Sequence, residues 1–171
     1  MYCVRHVTKD LYWVGANDHR LTLFENIHPI PRGVSYNAYL LLDERTVLFD
    51  TVDWSACRQL LENLEHLLAG RTLDYLVINH MEPDHGASLE EVRWPNAGII
   101  ATEKAFMLMR QFGFQIDGHE QIEVKEGDTR CFGRHTVTFI SAPMVHWPEA
   151  MATLDLTSGA LFSADAFGSF G

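Results

Sequence analysis

The chain is poor in cysteine and in positive charge, and it has no long apolar run. Its three cysteines in 171 residues, Cys3, Cys57 and Cys131, are too far apart for a disulfide framework or a CxxC metal motif. No segment approaches the ~20 apolar residues of a membrane-spanning helix, and the N-terminus lacks the apolar core of a signal peptide. A formal net charge of -10 argues against nucleic-acid and anionic-membrane partners. We therefore expect a soluble, cytoplasmic protein.

Apolar residues are plentiful, at 47% of the chain, which is enough for the core of one domain over residues 1–171. The apolar patterns alternate between a period of two and a period near 3.6, which predicts an α/β fold. Strands are predicted at 11–14, 21–24, 35–42, 46–49, 75–78, 98–101, 121–124, 135–141, 150–156 and 160–163. Helices are predicted at 54–68, from Ser88 onward and at 103–112, with a turn at 15–18 and an irregular loop at 28–33.

The most unusual stretch directly follows the predicted strand at 75–78 and contains His80, Glu82, Asp84 and His85. In extended backbone, alternate side chains point the same way, so His80, Glu82 and Asp84 are expected to face one point and His85 a neighbouring one. Pro83 disfavours a helix through the segment. A bound cation would make this cluster favourable, whereas a solvated polar loop is the alternative. Imidazole with carboxylate and no thiolate suits iron, manganese or zinc, and the carboxylates favour iron.

Two later residues, His146 and Asp165, also come just after predicted strands and are candidate ligands. Ligands at several strand ends are expected to meet at one edge of the layered sheets. Asp50 follows the strand at 46–49, where it either orients the ligand loop, residues 79–86, or caps a turn.

The metal-ligand pattern resembles that of a known family. The resemblance rests on the H-x-E-x-D-H spacing of His80, Glu82, Asp84 and His85, on His146 in the string HWP and on Asp165 in the string ADAFG. This set is similar to the metallo-β-lactamase-like domain of flavodiiron proteins, also called A-type flavoproteins. The hydrolases of that superfamily typically carry a His where Glu82 stands. The resemblance implies an αββα sandwich, which we expect to be C-terminally incomplete here.

The resemblance also implies a ligand set and an activity. It assigns one iron to His80, Glu82 and His146, the other to Asp84 and His85, and a bridge to Asp165. The implied reaction is reduction of dioxygen to water or of nitric oxide to nitrous oxide, with electrons from FMN. Trp147 either faces this flavin or packs as a buried aromatic residue. The implied partners are a redox donor such as rubredoxin and a second subunit in a head-to-tail homodimer.

Two features of the family are expected to be absent from residues 1–171. One is a further His ligand beyond Asp165, and the other is a flavodoxin-like domain that binds FMN. Three scattered cysteines also exclude a rubredoxin-type iron centre within this sequence. Two alternatives therefore stay open, an ester or thioester hydrolase that uses a metal-bound hydroxide, and a fragment that is inactive alone.

Overall fold

The computed structural model describes residues 1–24, 26–92 and 95–168. The strands are β1 (Arg5–His6), β2 (Leu11–Trp13), β3 (Ala16–Asp18), β4 (Leu23–Phe24), β5 (His28–Pro29), β6 (Val34–Tyr36), β7 (Tyr39–Leu42), β8 (Thr46–Phe49), β9 (Tyr75–Val77), β10 (Gly98–Ala101), β11 (Gln121–Glu123), β12 (Thr129–Cys131), β13 (Thr136–Ser141), β14 (Met151–Asp155) and β15 (Leu161–Phe162). The helices are a 3₁₀ turn (Trp54–Ala56), α1 (Cys57–Leu68), α2 (Pro83–Gly86), α3 (Leu89–Val92) and α4 (Glu103–Gln111). None of the helices in these ranges is both long enough and apolar enough to cross a membrane.

Two stacked sheets form the body of the fold. The larger has the order β1-β2-β7-β8-β9-β10-β11, and the smaller has the order β12-β13-β14-β15. Pairing in the larger sheet is antiparallel from β1 to β8 and parallel from β8 to β11. The strands β8, β9 and β10 consequently end at the same edge. In the smaller sheet β13 and β15 both run antiparallel to β14, so they too end at a common edge.

The alternation of side chains along β8 divides the core in two. Leu48 belongs to a cluster with Leu60 and Leu64 of α1, on the helical side of the large sheet. Val47 and Phe49 point to the opposite side and join Phe139 of the small sheet. The layers are therefore helix, sheet and sheet, which confirms the predicted α/β sandwich class. The second helical layer of an αββα sandwich stays a prediction.

Local sequence signals located several elements correctly. The strands predicted at 46–49 and 98–101 match β8 and β10, and α4 begins after Thr102, whose hydroxyl accepts a hydrogen bond from the Ala105 N–H at 3.2 Å. The helix predicted at 54–68 begins as a 3₁₀ turn that Asp53 caps. It ends at Leu68, as predicted, and Ala69 follows in the left-handed conformation, φ 49°.

Other predictions were wrong where distant segments decide the pairing. Residues 16–18, predicted as part of a turn, form β3 and pair with β6, while residues 28–29 of the predicted loop pair with β4. The strand predicted at 35–42 is divided between β6 and β7, which lie in different sheets. At this break the backbone of Gly15 lies so close to that of Tyr36 that an added Cβ would stand 1.9 Å from the Tyr36 carbonyl oxygen. The short strands β1 and β12 are polar and were not predicted.

Candidate metal centre

The predicted ligands meet at the edge where strands of both sheets end. His80 follows β9, His146 follows β13, and Asp165 follows β15. The main chain joins the two sheets at this edge, because the Met151 N–H donates to the Asn79 carbonyl oxygen at 3.0 Å. Donor groups from positions 80 to 165 therefore come together through the packing of the sheets.

The ligand loop is not extended along its whole length. Glu82 has φ −58° and ψ 147° and precedes α2, whose first residue is Pro83. Proline suits this position because its fixed φ is helical and its missing N–H is not needed there. No helix runs through the segment, as expected, but a short one begins at Pro83 itself. The expectation that Asp84 faces the same point as His80 is wrong. Asp84 instead groups with His85.

The first group of donor atoms contains side chains from three segments of the chain. Nε2 of His80 lies 3.2 Å from Glu82 Oε2, 3.4 Å from His146 Nε2 and 3.3 Å from Asp165 Oδ2. Nε2 of His146 lies 2.7 Å from Glu82 Oε2 and 3.3 Å from Asp165 Oδ2. Ligands held about 2.0–2.2 Å from one ion are separated by distances of this size. The four atoms therefore have the spacing of a metal-ligand set.

The second group adjoins the first and shares Asp165. The Asp165 Oδ1 lies 2.8 Å from Nε2 of His85, while the Asp165 Oδ2 faces the first group. Asp84 Oδ2 is 3.5 Å from the same His85 nitrogen. Asp84 Oδ1 is buried and has no hydrogen-bond partner in the part of the chain that the structure describes. A cation between these residues would satisfy that oxygen, so the residues present fit a second metal ion.

Burial and nearby charges shift the pKa values of several residues in this cluster. Burial opposes a charge on His80, but hydrogen bonds with Asp165, Glu149 and Glu82 outweigh burial and raise its pKa to about 11. Burial also opposes a charge on His85, but the hydrogen bond with Asp165 and the nearby charges of Asp84 and Asp50 together outweigh burial and raise its pKa to about 9. Burial raises the pKa of Asp84 to about 6, against the effect of nearby His85. Metal binding requires neutral imidazoles, so it must release these protons.

Asp50 forms hydrogen bonds with Asn79, at the start of the ligand loop. It is buried, and its Oδ1 and Oδ2 accept hydrogen bonds from the main-chain N–H and the side-chain amide of Asn79, at 2.7 and 2.9 Å. The Asn79 side-chain oxygen accepts from the Thr153 hydroxyl of β14 at 2.7 Å. The neighbouring Thr51 N–H donates to the His85 carbonyl oxygen at 2.8 Å. Asp50 and Thr51 thus hold both ends of the ligand loop.

One residue at this site was not predicted from the sequence. Glu149 is buried, and its Oε1 lies 2.8 Å from His80 Nδ1 and 3.0 Å from the Met81 nitrogen. The available signal was its place in the string HWPE, three residues after His146. Trp147 of the same string is half-buried, and its ring meets the His80 ring edge-on, with centroids 5.3 Å apart. Its contact with a flavin stays a prediction.

The centre is open at its rim. The side chain of His146 is 56% exposed and that of Asp165 is 35% exposed. A cavity of about 380 Å³ adjoins the ligand loop at Glu82 and Asp84. The walls of the cavity include the apolar residues Leu21, Leu23 and Phe24. A small molecule can therefore approach the ligand loop from solvent.

Comparisons with known proteins identify the family and relatives of this chain. The model of ODP family beta lactamases matches residues 34–171. The chain is 37% identical over 165 residues to a nitric oxide reductase of Moorella thermoacetica, and this match covers 95% of the chain and 41% of the relative. It is 39% identical over 167 residues to an anaerobic nitric oxide reductase flavorubredoxin of Pectobacterium carotovorum, covering 95% of the chain and 33% of that protein.

Solved structures show the same fold. The flavodiiron protein of Giardia intestinalis superposes with a TM-score of 0.91 at 28% identity, covering 98% of this chain and 41% of that one. The rubredoxin oxygen:oxidoreductase of Desulfovibrio gigas superposes with a TM-score of 0.85 at 30% identity, covering 93% of this chain and 40% of that one. The resemblance to flavodiiron proteins is thus confirmed. The chain belongs to the ODP family of β-lactamase-like domains and has the fold found in flavodiiron proteins.

Proposed function

We propose that the chain is the diiron domain of an oxidoreductase that reduces dioxygen to water or nitric oxide to nitrous oxide. The observation that carries this proposal is the pair of adjacent donor groups that share Asp165. The donors are imidazoles and carboxylates without a thiolate, a set that suits iron. The names of the relatives, which include nitric oxide reductase and rubredoxin oxygen:oxidoreductase, support the reaction class.

Each donor residue has a proposed role. His80, Glu82 and His146 would hold one iron, Asp84 and His85 would hold the other, and Asp165 would bind both. Reduced iron held by these residues would supply electrons to dioxygen or nitric oxide. Asp50 keeps the loop in position through Asn79, so the donors stay close together before metal binds.

The cavity beside the ligand loop is proposed to admit the substrate. Leu21, Leu23 and Phe24 form part of its wall, next to Glu82 and Asp84. Dioxygen and nitric oxide are small and uncharged, so an apolar wall accepts them without loss of hydrogen bonds to water. Anionic metabolites would be repelled by the surrounding carboxylates and by the net charge of -10.

Electrons are proposed to arrive from outside this chain, which covers 41% of the Moorella relative. FMN on a flavodoxin-like domain would reduce the irons, and rubredoxin or a similar protein would reduce the FMN.

Three exposed apolar side chains lie on the loops that carry His146 and Asp165: Met144, Val145 and Phe167, at 70%, 53% and 92% exposure. This apolar rim supports a protein partner at the metal edge, and a head-to-tail homodimer would supply one. We place the reaction in the cytoplasm.

Metal analysis tests the proposal. Protein purified aerobically and anaerobically, and protein reconstituted with ferrous iron, should bind two irons per chain. Addition of dioxygen or nitric oxide to the anaerobic ferrous protein should oxidise the irons, as followed by Mössbauer spectroscopy. The variant His80→Ala should lose iron while retaining the fold.

Three results would contradict the proposal. Zinc without iron in every preparation, together with metal-dependent ester or thioester hydrolysis, would favour the hydrolase alternative. Failure of the folded chain to bind any of these metals would favour the inactive fragment. Ferrous irons that are not oxidised by either gas would also exclude the proposed reaction.

A further inference from the structure

Glu149 contacts a ligand residue without belonging to either donor group. It lies between β13 and β14, and its side chain is 0% exposed. The His80 Nδ1 and the Met81 nitrogen are both within hydrogen-bond distance of Oε1, at 2.8 and 3.0 Å. An ionised carboxylate only accepts hydrogen bonds, so the His80 Nδ1 must carry the proton in this contact. The lone pair of a neutral His80 is then on Nε2, the atom that faces Glu82, His146 and Asp165.

The contact is supported from several sides. The Glu149 carbonyl oxygen accepts a hydrogen bond from the Thr102 hydroxyl at 3.1 Å, and Thr102 is the N-cap of α4. The Met81 N–H ties the carboxylate to the ligand loop. The Trp147 ring also contacts that of His80 and is nearly perpendicular to it, at 88°. The imidazole ring of His80 is therefore restrained in both position and rotation.

The burial of the Glu149 carboxylate is unfavourable unless its interaction with His80 compensates. Burial of an ionised carboxylate is costly unless the charge is paired and its oxygens are hydrogen-bonded. Within residues 1–24, 26–92 and 95–168, the ionic partner of Glu149 is His80 alone, and Oε2 accepts no hydrogen bond. A structural role alone would be served at lower cost by an uncharged acceptor such as glutamine.

We propose that Glu149 is a positioning residue that holds His80 with Nδ1 protonated and Nε2 directed at the first donor group, and thereby raises the metal affinity of that group. This inference rests on the proposed metal centre but concerns a residue outside its ligand set. Carboxylates that accept from a ligating histidine orient the ring and increase its basicity, and their loss typically weakens metal binding by about 10- to 100-fold.

The test is metal titration of the full chain, with Co²⁺ as a spectroscopic probe. Glu149→Ala should weaken binding at the first group by about 10- to 100-fold, with a smaller effect at the second group. Glu149→Gln should lie between the wild type and Glu149→Ala, since it keeps an acceptor oxygen but loses the charge. Glu126→Gln is the matched control, because the exposed Glu126 accepts a backbone N–H from Ser141 and lies outside both donor groups. It should bind Co²⁺ as the wild type does.

A double-mutant cycle separates positioning from a general effect on the fold. If Glu149 acts through His80, Glu149→Ala should cause little further loss of affinity in a His80→Ala background. Equal losses in both backgrounds would overturn the proposal. In the zinc-loaded protein, NMR should show an exchange-protected His80 Nδ1–H that is lost in Glu149→Ala.

The outcomes also distinguish this inference from the proposed function. If the wild type binds two ions and folded Glu149→Ala binds them with equal affinity, only the positioning role fails. If the folded wild type binds no metal, both fail. Should Glu149→Ala not fold, the comparison of Glu149→Gln with Glu126→Gln decides, and equal affinities would overturn the proposal.

Discussion

At the scale of single residues, Asp165 has the most distinctive geometry of the candidate ligands. One of its oxygens lies 3.3 Å from the His80 and His146 nitrogens, and the other lies 2.8 Å from the His85 nitrogen. Hydrogen bonds from His80 and His85 outweigh burial and hold the pKa of Asp165 well below its usual range. An ionised carboxylate that reaches both groups is suited to bridge two cations.

Removal of this carboxylate should affect both metal sites. We expect Asp165→Ala to weaken binding at the two donor groups by about tenfold or more each, since even the loss of a supporting contact has an effect of this size. Asp84→Ala should weaken the second group alone, because Asp84 belongs to that group only. Calorimetric titration of each apo-protein with zinc measures both affinities. Selective loss at one group in Asp165→Ala would contradict the bridging role.

At the scale of elements, a buried polar network joins strands far from the metal centre. His135 precedes β13 and is buried; its Nδ1 lies 2.7 Å from Asp155 at the end of β14 and its Nε2 lies 3.2 Å from Asp10 before β2. Burial opposes a charge on His135, but these hydrogen bonds outweigh it and raise its pKa. Burial likewise opposes a charge on Asp155, but hydrogen bonds from Ser158 and His135 lower its pKa.

The network predicts a pH dependence of stability. A raised histidine pKa means that its contribution is complete below about pH 6.5, the ordinary value, and is lost as pH rises through the folded-state pKa. The lowered pKa of Asp155 means that its contribution is present above about pH 4 and is lost as pH falls. The difference in unfolding free energy between wild type and His135→Gln should therefore be largest between about pH 4 and 6.5.

Urea unfolding at several pH values, with chelator present to remove metal contributions, measures this difference. It should shrink steadily above about pH 6.5. The matched control is His119→Gln, whose ring nitrogen contacts the Ala97 carbonyl oxygen rather than a carboxylate. A difference for His135→Gln that is constant from pH 5 to about 9 would show that the imidazole is not charged in the folded protein.

At the scale of the whole molecule, aromatic packing holds the two sheets together next to the metal edge. The rings of Phe49 in β8 and Phe162 in β15 stack with centroids 3.9 Å apart and planes 5° from parallel. Tyr39 of β7 meets Phe162 edge-on at 5.4 Å. Because Asp165 lies three residues after Phe162, this packing also determines where the bridging candidate stands.

Loss of the Phe162 ring should destabilise the sandwich. We expect Phe162→Ala to lower the unfolding free energy by about 3–5 kcal/mol, through lost burial and the cavity left behind. Leu161→Ala is the matched control, because Leu161 is the neighbouring residue of the same strand and is 46% exposed. It should change stability by no more than about 0.5 kcal/mol. Guanidinium unfolding of both variants checks the prediction, and comparable losses would refute the importance of the stacked pair.

Local sequence was sufficient for some features of both fold and site. The strand at 46–49 and the helix that begins after Thr102 were predicted because side-chain pattern and capping act between close neighbours. The candidate ligands were recognised because His80, Glu82, Asp84 and His85 lie within one short segment. Their density near a strand end, rather than any distant contact, marks them as a site.

By itself, then, the sequence determined the types of donor atoms, the α/β class and the family. Tertiary structure alone decided how the donors divide into two groups, because α2 turns Asp84 away from His80 and the small sheet brings in His146 and Asp165. It also brought Glu149 to His80 across 69 positions of sequence, and it divided the strand predicted at 35–42 between two sheets. The physical reason is common to these cases. Such contacts join residues far apart in the chain, and their energies appear only when the two sheets pack.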